Sequence, residues 1–321
     1  MSTQSQNQTE TRNQAGQATM KAVRIHAFGG PEAMRYEDLP RPQPKTGEVL
    51  VKVHASSANP ADYKMASGLF GQMPLPVTLG LDFSGTVEAL GPGVTKWKVG
   101  DDVFGTALGS FAGYRVSPQG ELAAKPAGLE HAKAAALPVA AQTAWKALFD
   151  TAQLKAGQKV LIQGGAGGVG GFAIQLAKDK GIFVAATASG RNQAYLKRLG
   201  ADLAIDYGQT RFEEVARDFD AVFDTQGGEI QSRSFRSLKK GGILVSIVQP
   251  PSQEEAAKYG VRAEIIRNSM NPQALEYMGG LAAAGKLQIE IAATLPLAET
   301  AKAMEMLKAG HTRGKIVILV G

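Results

Sequence analysis

One stretch limits the possible folds of this chain more than any other: KVLIQGGAGGVGGFAIQLAK, residues 159–178. A short apolar strand (Val160, Leu161, Ile162) runs into a glycine-rich turn, and the turn into an amphipathic helix. Gly165, Gly167 and Gly170 fit the spacing G-x-G-x-x-G. In that spacing the first glycine permits the tight turn, the second lets the backbone approach a pyrophosphate, and the third lets the helix pack closely on the strand. Phosphates then rest on free N–H groups at the helix N-terminus, around Gly168 and Val169, where the dipole is positive. The preceding strand and following helix make this spacing more than an ordinary glycine-rich turn.

At 321 residues the chain is long enough for two domains of common size. An apolar content of 44% with 20% charged residues indicates a globular protein. There is no cysteine, which excludes disulfides, thiolate-held metals and thiol nucleophiles. The net charge of +6 is scattered among acids. It forms no basic block of the kind that binds nucleic acid, yet suits an anionic nucleotide. Residues 1–19 are mostly Gln, Asn, Ser and Thr and read as a disordered tail, with no apolar region of a secretory signal. No apolar run reaches the length of a membrane span, so the expected location is cytoplasmic.

From Met20 to about Ala140 the chain reads as β-rich, with strands at Ala22–Ile25, Glu48–Val53, Ser84–Leu90 and Trp97–Gly105. Frequent Gly and Pro make this a small barrel-like domain. After Gly157 strands and helices alternate. The expected strands are Val160–Gln163, Ile182–Thr187, Leu203–Asp206, Asp220–Asp224 and Gly242–Val248; the helices between them include Gly168–Lys180, Gln193–Leu199 and Phe212–Arg217. That pattern predicts a parallel, doubly wound sheet. The remainder reads as helix (Pro272–Lys286), strand (Leu287–Ile291), helix (Leu297–Ala309) and a final apolar strand (Lys315–Val320) that could close the first domain's sheet.

Further segments then carry a family resemblance. Asn59-Pro60-Ala61-Asp62, Leu79-Gly80-Leu81-Asp82-Phe83-Ser84-Gly85, Val99-Gly100-Asp101-Asp102-Val103, Ala136-Leu137-Pro138, the glycine motif, Asp220-Ala221-Val222-Phe223-Asp224 and Gly314-Lys315-Ile316-Val317 follow one another in order. From Met20 to Gly321 the chain resembles the medium-chain dehydrogenase/reductase superfamily, most closely its zinc-independent quinone oxidoreductase and enone reductase branch. The resemblance implies an α/β fold with a GroES-like catalytic domain (residues 20–140 and 283–321) and an inserted Rossmann cofactor domain (residues 141–282). It also implies a homodimer or homotetramer, commonly paired through the cofactor-domain sheets.

Zinc-dependent relatives carry a cysteine and a Gly-His-Glu motif where this chain has Asn59-Pro60 and Gly80-Leu81-Asp82. Its four histidines, His26, His54, His131 and His311, are widely spaced, so no metal ligand set is expected and Asp82 reads as a structural carboxylate. Hydride delivery to an activated alkene or quinone needs less Lewis-acid help than alcohol oxidation. The expected reaction is therefore NADPH-dependent reduction of quinones or α,β-unsaturated carbonyls. A zinc-free alcohol dehydrogenase and a nucleotide-binding crystallin-like or RNA-associated protein stay as alternatives.

NADPH is expected because no acid follows the second strand of the nucleotide domain; Ser189 and Arg191 stand there instead, suited to a 2′-phosphate. The resemblance adds Tyr207 near the adenosine phosphate and Arg313 as a cofactor contact. Asp224 and Gly227 follow a strand's carboxyl end and Val248 the next, where ligands sit in open α/β sheets. For catalysis, Asn59 and Lys64 are the candidates, with Tyr63 as a rival proton donor. Lys64 would place a cation beside the enolate oxygen that forms on hydride transfer. Loops at Met65–Met73 and Met270-Asn271 are expected to form the substrate pocket.

Overall fold

A computed structural model describes residues 18–71, 73–266 and 270–321. The tail read at residues 1–19 lies outside them except for its last two positions, and Thr19 already pairs with Pro40 at the start of a strand.

The N-terminal part is built from β1 (Thr19–Ile25), β2 (Met34–Pro40), β3 (Glu48–Ala58), β4 (Val77–Thr78), β5 (Asp82–Leu90), β6 (Asp102–Thr106), β7 (Tyr114–Pro118) and β8 (Ala123–Ala124). In β3 the alternating Val49, Val51 and Val53 are buried against Phe83, Val87 and Val103, as β-branched residues on a half-buried pleat favour. The strand read from Trp97 to Gly105 is shorter than expected. Residues 97–101 form a turn, closed by Gly100 at φ +92 with its N–H bonded to Val87 O, and only Asp102–Thr106 is extended.

The nucleotide-binding part contains β9 (Lys159–Ile162), β10 (Phe183–Ala188), β11 (Leu203–Asp206), β12 (Phe219–Asp224), β13 (Leu238–Ser246) and β14 (Arg262–Ile265). They form one parallel sheet in the order β11-β10-β9-β12-β13-β14. That order reverses direction beside β9, the topological switch point of a dinucleotide-binding fold. Val160, Leu161 and Ile162 are buried on both faces, which is why β9 reads as a continuous apolar run.

Two strands follow, β15 (Ile291–Pro296) and β16 (Lys315–Leu319). Of the N-terminal strands, β2-β1-β4 form one small sheet, and β3, β5, β6, β7 and β8 belong to another, which β16 joins by pairing antiparallel with Ala55–Ala58 of β3. The strand expected at Leu287–Ile291 is displaced. Leu287 N–H bonds back to Leu281 O, closing the preceding helix, and Gln288 N–H donates to the Gln175 side chain, so extended pairing starts only at Ile291.

Candidate active site

The glycine loop follows β9 and leads into the Gly168–Asp179 helix, capped by Gly167 in an extended conformation. The left-handed residue of the turn is Gly164 (φ +72), immediately before the first glycine of the motif. Gly165 is glycine for lack of space: a side chain there would meet Ala186 Cβ at 2.9 Å. At Gly170 a side chain would drive into the carbonyl oxygen of Gly164, so the helix can approach the turn only with glycine here. Gly167 differs. A side chain there would have only Gly164 O nearby, at 3.5 Å, leaving open space above the helix start. The N–H groups of Gly168, Val169 and Gly170 begin the helix and have no intrahelical acceptor. The loop thus has the open, donor-lined surface that a pyrophosphate requires.

Around it lie the other candidate cofactor residues. Ser189 follows β10, and its hydroxyl accepts from Asn192 Nδ2 at 3.1 Å. Arg191 is exposed, with Nη2 donating to His311 O at 3.3 Å. Tyr207 is also exposed, its N–H on Ala188 O. Arg313 bonds Glu290 at 3.0 Å and its guanidinium lies 5.3 Å from the Tyr195 ring centre.

Asp224 is fully buried and its carboxylate accepts from Gln226 N, Gly227 N, Gln231 Nε2 and Ser246 Oγ, all within 2.9 Å. The structure therefore gives it the task of shaping the turn. It holds Gly227 at φ +73, where a side chain would meet Val248 Cγ1 at 3.1 Å.

The second half of the site is the turn from β3 into the Pro60–Ala66 helix. Proline at the first helical position and Asn59 before it set the helix start. Asp62 Oδ2 accepts the Asn59 N–H at 2.8 Å. Asn59 is buried, and its Nδ2 donates to Asp82 Oδ2 at 2.9 Å. Asp82 also accepts from Ser57 Oγ (2.6 Å), Val139 N–H (2.7 Å) and Lys315 Nζ (3.3 Å). This is the structural carboxylate expected from the sequence, with both oxygens in use. Lys315 Nζ donates further to Asn59 Oδ1 and to Ala58 O. Lys315 was not among the residues singled out for chemistry. Its local signal is slight: a lysine opening an otherwise apolar strand.

Lys64 lies half-buried on the same helix, and its ammonium has no hydrogen-bond or ion-pair partner among the described residues. Tyr63 instead packs against the apolar cluster of Ile25, Leu79 and Phe111. Of the expected pocket loop, Leu69 and Phe70 stand exposed, at 73% and 60%. Met270 contacts Gln142 Nε2 through sulfur at 3.3 Å, and Asn271 N–H donates to Gln142 Oε1 at 2.6 Å.

Burial pushes the Asp62 carboxyl up to about 7, against the pull of the Asn59 N–H; Asp82 adds to the rise and Lys315 opposes it. The folded protein thus holds this proton more tightly than the unfolded chain, whose aspartate titrates near 3.9. The contribution of Asp62 to stability therefore falls as pH rises between about 4 and about 7. Asp62→Asn should remove this slope. The thermal midpoint of the parent should drop relative to the variant's between about pH 5 and about pH 8. A difference that stays constant over that range would mean that Asp62 does not titrate there.

A six-stranded parallel sheet with an open glycine loop, joined to a β-rich domain bearing a polar buried turn, defines a two-domain dinucleotide-dependent oxidoreductase. Two family profiles match: "Alcohol dehydrogenase GroES-like domain" over residues 45–127 and "Zinc-binding dehydrogenase" over residues 199–318. The chain is 35% identical to the 2-methylene-furan-3-one reductase of Solanum lycopersicum, over 93% of this chain and 79% of that one. It is 33% identical to the chloroplastic NADPH-dependent alkenal/one oxidoreductase of Arabidopsis thaliana, with the same coverage. The solved structure of the quinone oxidoreductase from Coxiella burnetii superposes with a TM-score of 0.88 at 38% identity, covering 95% of this chain and all of that one. The chain belongs to the medium-chain dehydrogenase/reductase superfamily, in its quinone oxidoreductase and enone reductase branch.

Proposed function

We propose that this protein is an NADPH-dependent reductase of quinones or α,β-unsaturated carbonyls that works without zinc. The observation that carries the reading is the meeting of the two half-sites. Lys315, whose stem lies over Gly168, bonds Asn59 and so sets the glycine loop beside the turn that bears Lys64. When bound, NADPH supplies the hydride. Gly167 and the N–H groups after it hold the pyrophosphate, Ser189 and Arg191 the 2′-phosphate, and the Gly227–Val248 wall borders the cofactor. Asn59 orients the ribose or the substrate. Lys64 stabilises negative charge on the carbonyl oxygen of an enone as it becomes an enolate. Donors preorganised toward developing charge act more strongly in the transition state than in the ground state.

Turnover of a panel of enones and quinones with NADPH tests the activity; tight NADPH binding without turnover would instead describe a binding protein. Among the described residues no group of three or more His, Cys, Asp or Glu side chains is placed to hold a metal ion. Activity should therefore survive exhaustive chelation, and a stoichiometric zinc requirement would refute the zinc-free reading. Arg191→Ala should raise the NADPH KM at least about tenfold, since a hydrogen bond to a charged group contributes about 1.5–3 kcal/mol. The KM for NADH, which lacks the 2′-phosphate, should hardly move; equal effects on both would mean that Arg191 does not read the phosphate.

We place the domain boundaries at residues 20–140 with 283–321 and at 141–282, consistent with β16 joining β3. No described helix is long and apolar enough to cross a membrane. We assign a cytoplasmic homodimer or homotetramer, with β14, at one of the two edges of the parallel sheet, as the pairing strand. Sedimentation of the purified protein tests the assembly.

A further inference from the structure

We propose that Lys315 is a positioning residue, a strut that fixes the Asn59–Lys64 turn in register with the dinucleotide loop. The inference rests on the reductase reading of the two half-sites. Lys315 is 4% exposed and belongs by pairing to the catalytic sheet. Its backbone neighbour Gly314 docks on the other domain: Gly314 N–H donates to Ala166 O at 3.1 Å, and Gly314 bridges Gly167 in parallel. The lysine stem then crosses Gly168, where a side chain would meet Lys315 Cδ at 2.9 Å. Its ammonium ends on Asn59 Oδ1, Ala58 O and Asp82 Oδ2. Two of its donors are thus spent on the turn before Lys64 and the third on Asp82, which itself holds Asn59, while its stem rests on the first residue of the phosphate-facing helix.

Such a connection does more than neutralise Asp82. A side chain needed only for charge could reach Asp82 from solvent; this one runs along the glycine loop and grips the backbone and side chain of the substrate turn. A strut transmits position. Displacing a reacting group by about 1 Å costs about a hundredfold in rate even when the altered residue is remote from the chemistry. As a strut Lys315 acts through the turn that it holds.

The discriminating variant is the pair Lys315→Met with Asp82→Asn, which removes both charges together and leaves no buried ion unpaired. Asp82 also holds Ser57, Asn59 and Val139, so the baseline is Asp82→Asn alone: if Lys315 only balanced Asp82, the double variant would work at least as well as that single variant. As a strut, its loss should slow single-turnover hydride transfer from NADPH to an enone by about a hundredfold relative to Asp82→Asn, with NADPH affinity kept within about threefold. A second readout is independent of turnover. In the parent, NADPH added to the glycine loop should slow amide exchange across residues 57–66 as well as 164–171. In the double variant only residues 164–171 should respond. Should the double variant not fold, Lys315→Gln, which keeps a donor toward Asn59 but shortens the reach, should show the same changes in smaller measure. Retention of both the transfer rate and the exchange response would overturn the proposal. If the parent itself reduces no enone or quinone, the reductase reading fails, and the exchange comparison still decides the strut.

Discussion

Lys64→Ala should lower kcat for an enone by about 10²–10³-fold, the usual cost of losing one preorganised donor to a developing oxyanion. NADPH affinity should change little, because Lys64 lies on the Pro60–Ala66 helix of the other half-site. The reason for so large an effect is its setting. The residue is half-buried and its ammonium spends none of its hydrogen bonds on described neighbours, so its field is available to a substrate oxygen. Lys64→Arg should recover part of the rate, since the guanidinium keeps the charge but presents a planar fork. Tyr63→Phe is the companion measurement. Packed against the apolar cluster that contains Ile25 and Phe111, Tyr63 is placed to hold the helix down, and loss of its hydroxyl should leave kcat within a few-fold of the parent. A larger loss from Tyr63→Phe than from Lys64→Ala would transfer the acid role to the tyrosine. Parent-like rates in both would remove this helix from the chemistry.

Asp82→Ala should destabilise the fold by about 3–5 kcal/mol, the cost of breaking a buried ion pair from one side. Asp82 is fully buried and receives Ser57, Asn59, Val139 and Lys315. Alanine would leave the Lys315 ammonium without its counter-charge and the Val139 N–H without its acceptor. Urea unfolding of parent and variant measures the difference. A loss below about 1 kcal/mol would mean that the pair is solvated in the folded protein, since exposed pairs contribute that little.

How far the sequence foretells this molecule depends on the range of the interaction. The inner strands of the nucleotide-binding sheet were legible because they are largely buried on both faces, and Leu203–Asp206 agrees to the residue; the edge strand β14, with only Ala263 buried, gave no such signal and was not expected. Gly164 stands just before the G-x-G-x-x-G spacing and carries the positive φ of the turn, while Gly165 within the spacing is held to glycine by Ala186. Trp97–Val99 looked extended because its apolar residues alternate, yet backbone bonds into a turn outweighed that pattern. The role of Lys315 was out of reach. Its partners Asn59 and Asp82 lie 256 and 233 residues away along the chain, and no periodicity reports on a contact of that span.

That span has a consequence for biosynthesis. β7 covers only the Glu48–Lys52 half of one edge of β3; the Ala55–Ala58 half takes its partner from β16. A ribosome adding about 5–20 residues per second needs roughly 13–50 s to travel the 256 residues from Asn59 to Lys315. Throughout that interval the nascent chain carries an unpaired stretch of strand next to the unfinished substrate turn, and open strand edges invite pairing with other chains. The nucleotide domain, complete once the Pro272–Ala283 helix has formed, can fold and load its dinucleotide while the first domain still waits. Early capture of NADPH would order the loop on which Gly314 later docks, making the coenzyme a template for closing the sheet built on β3.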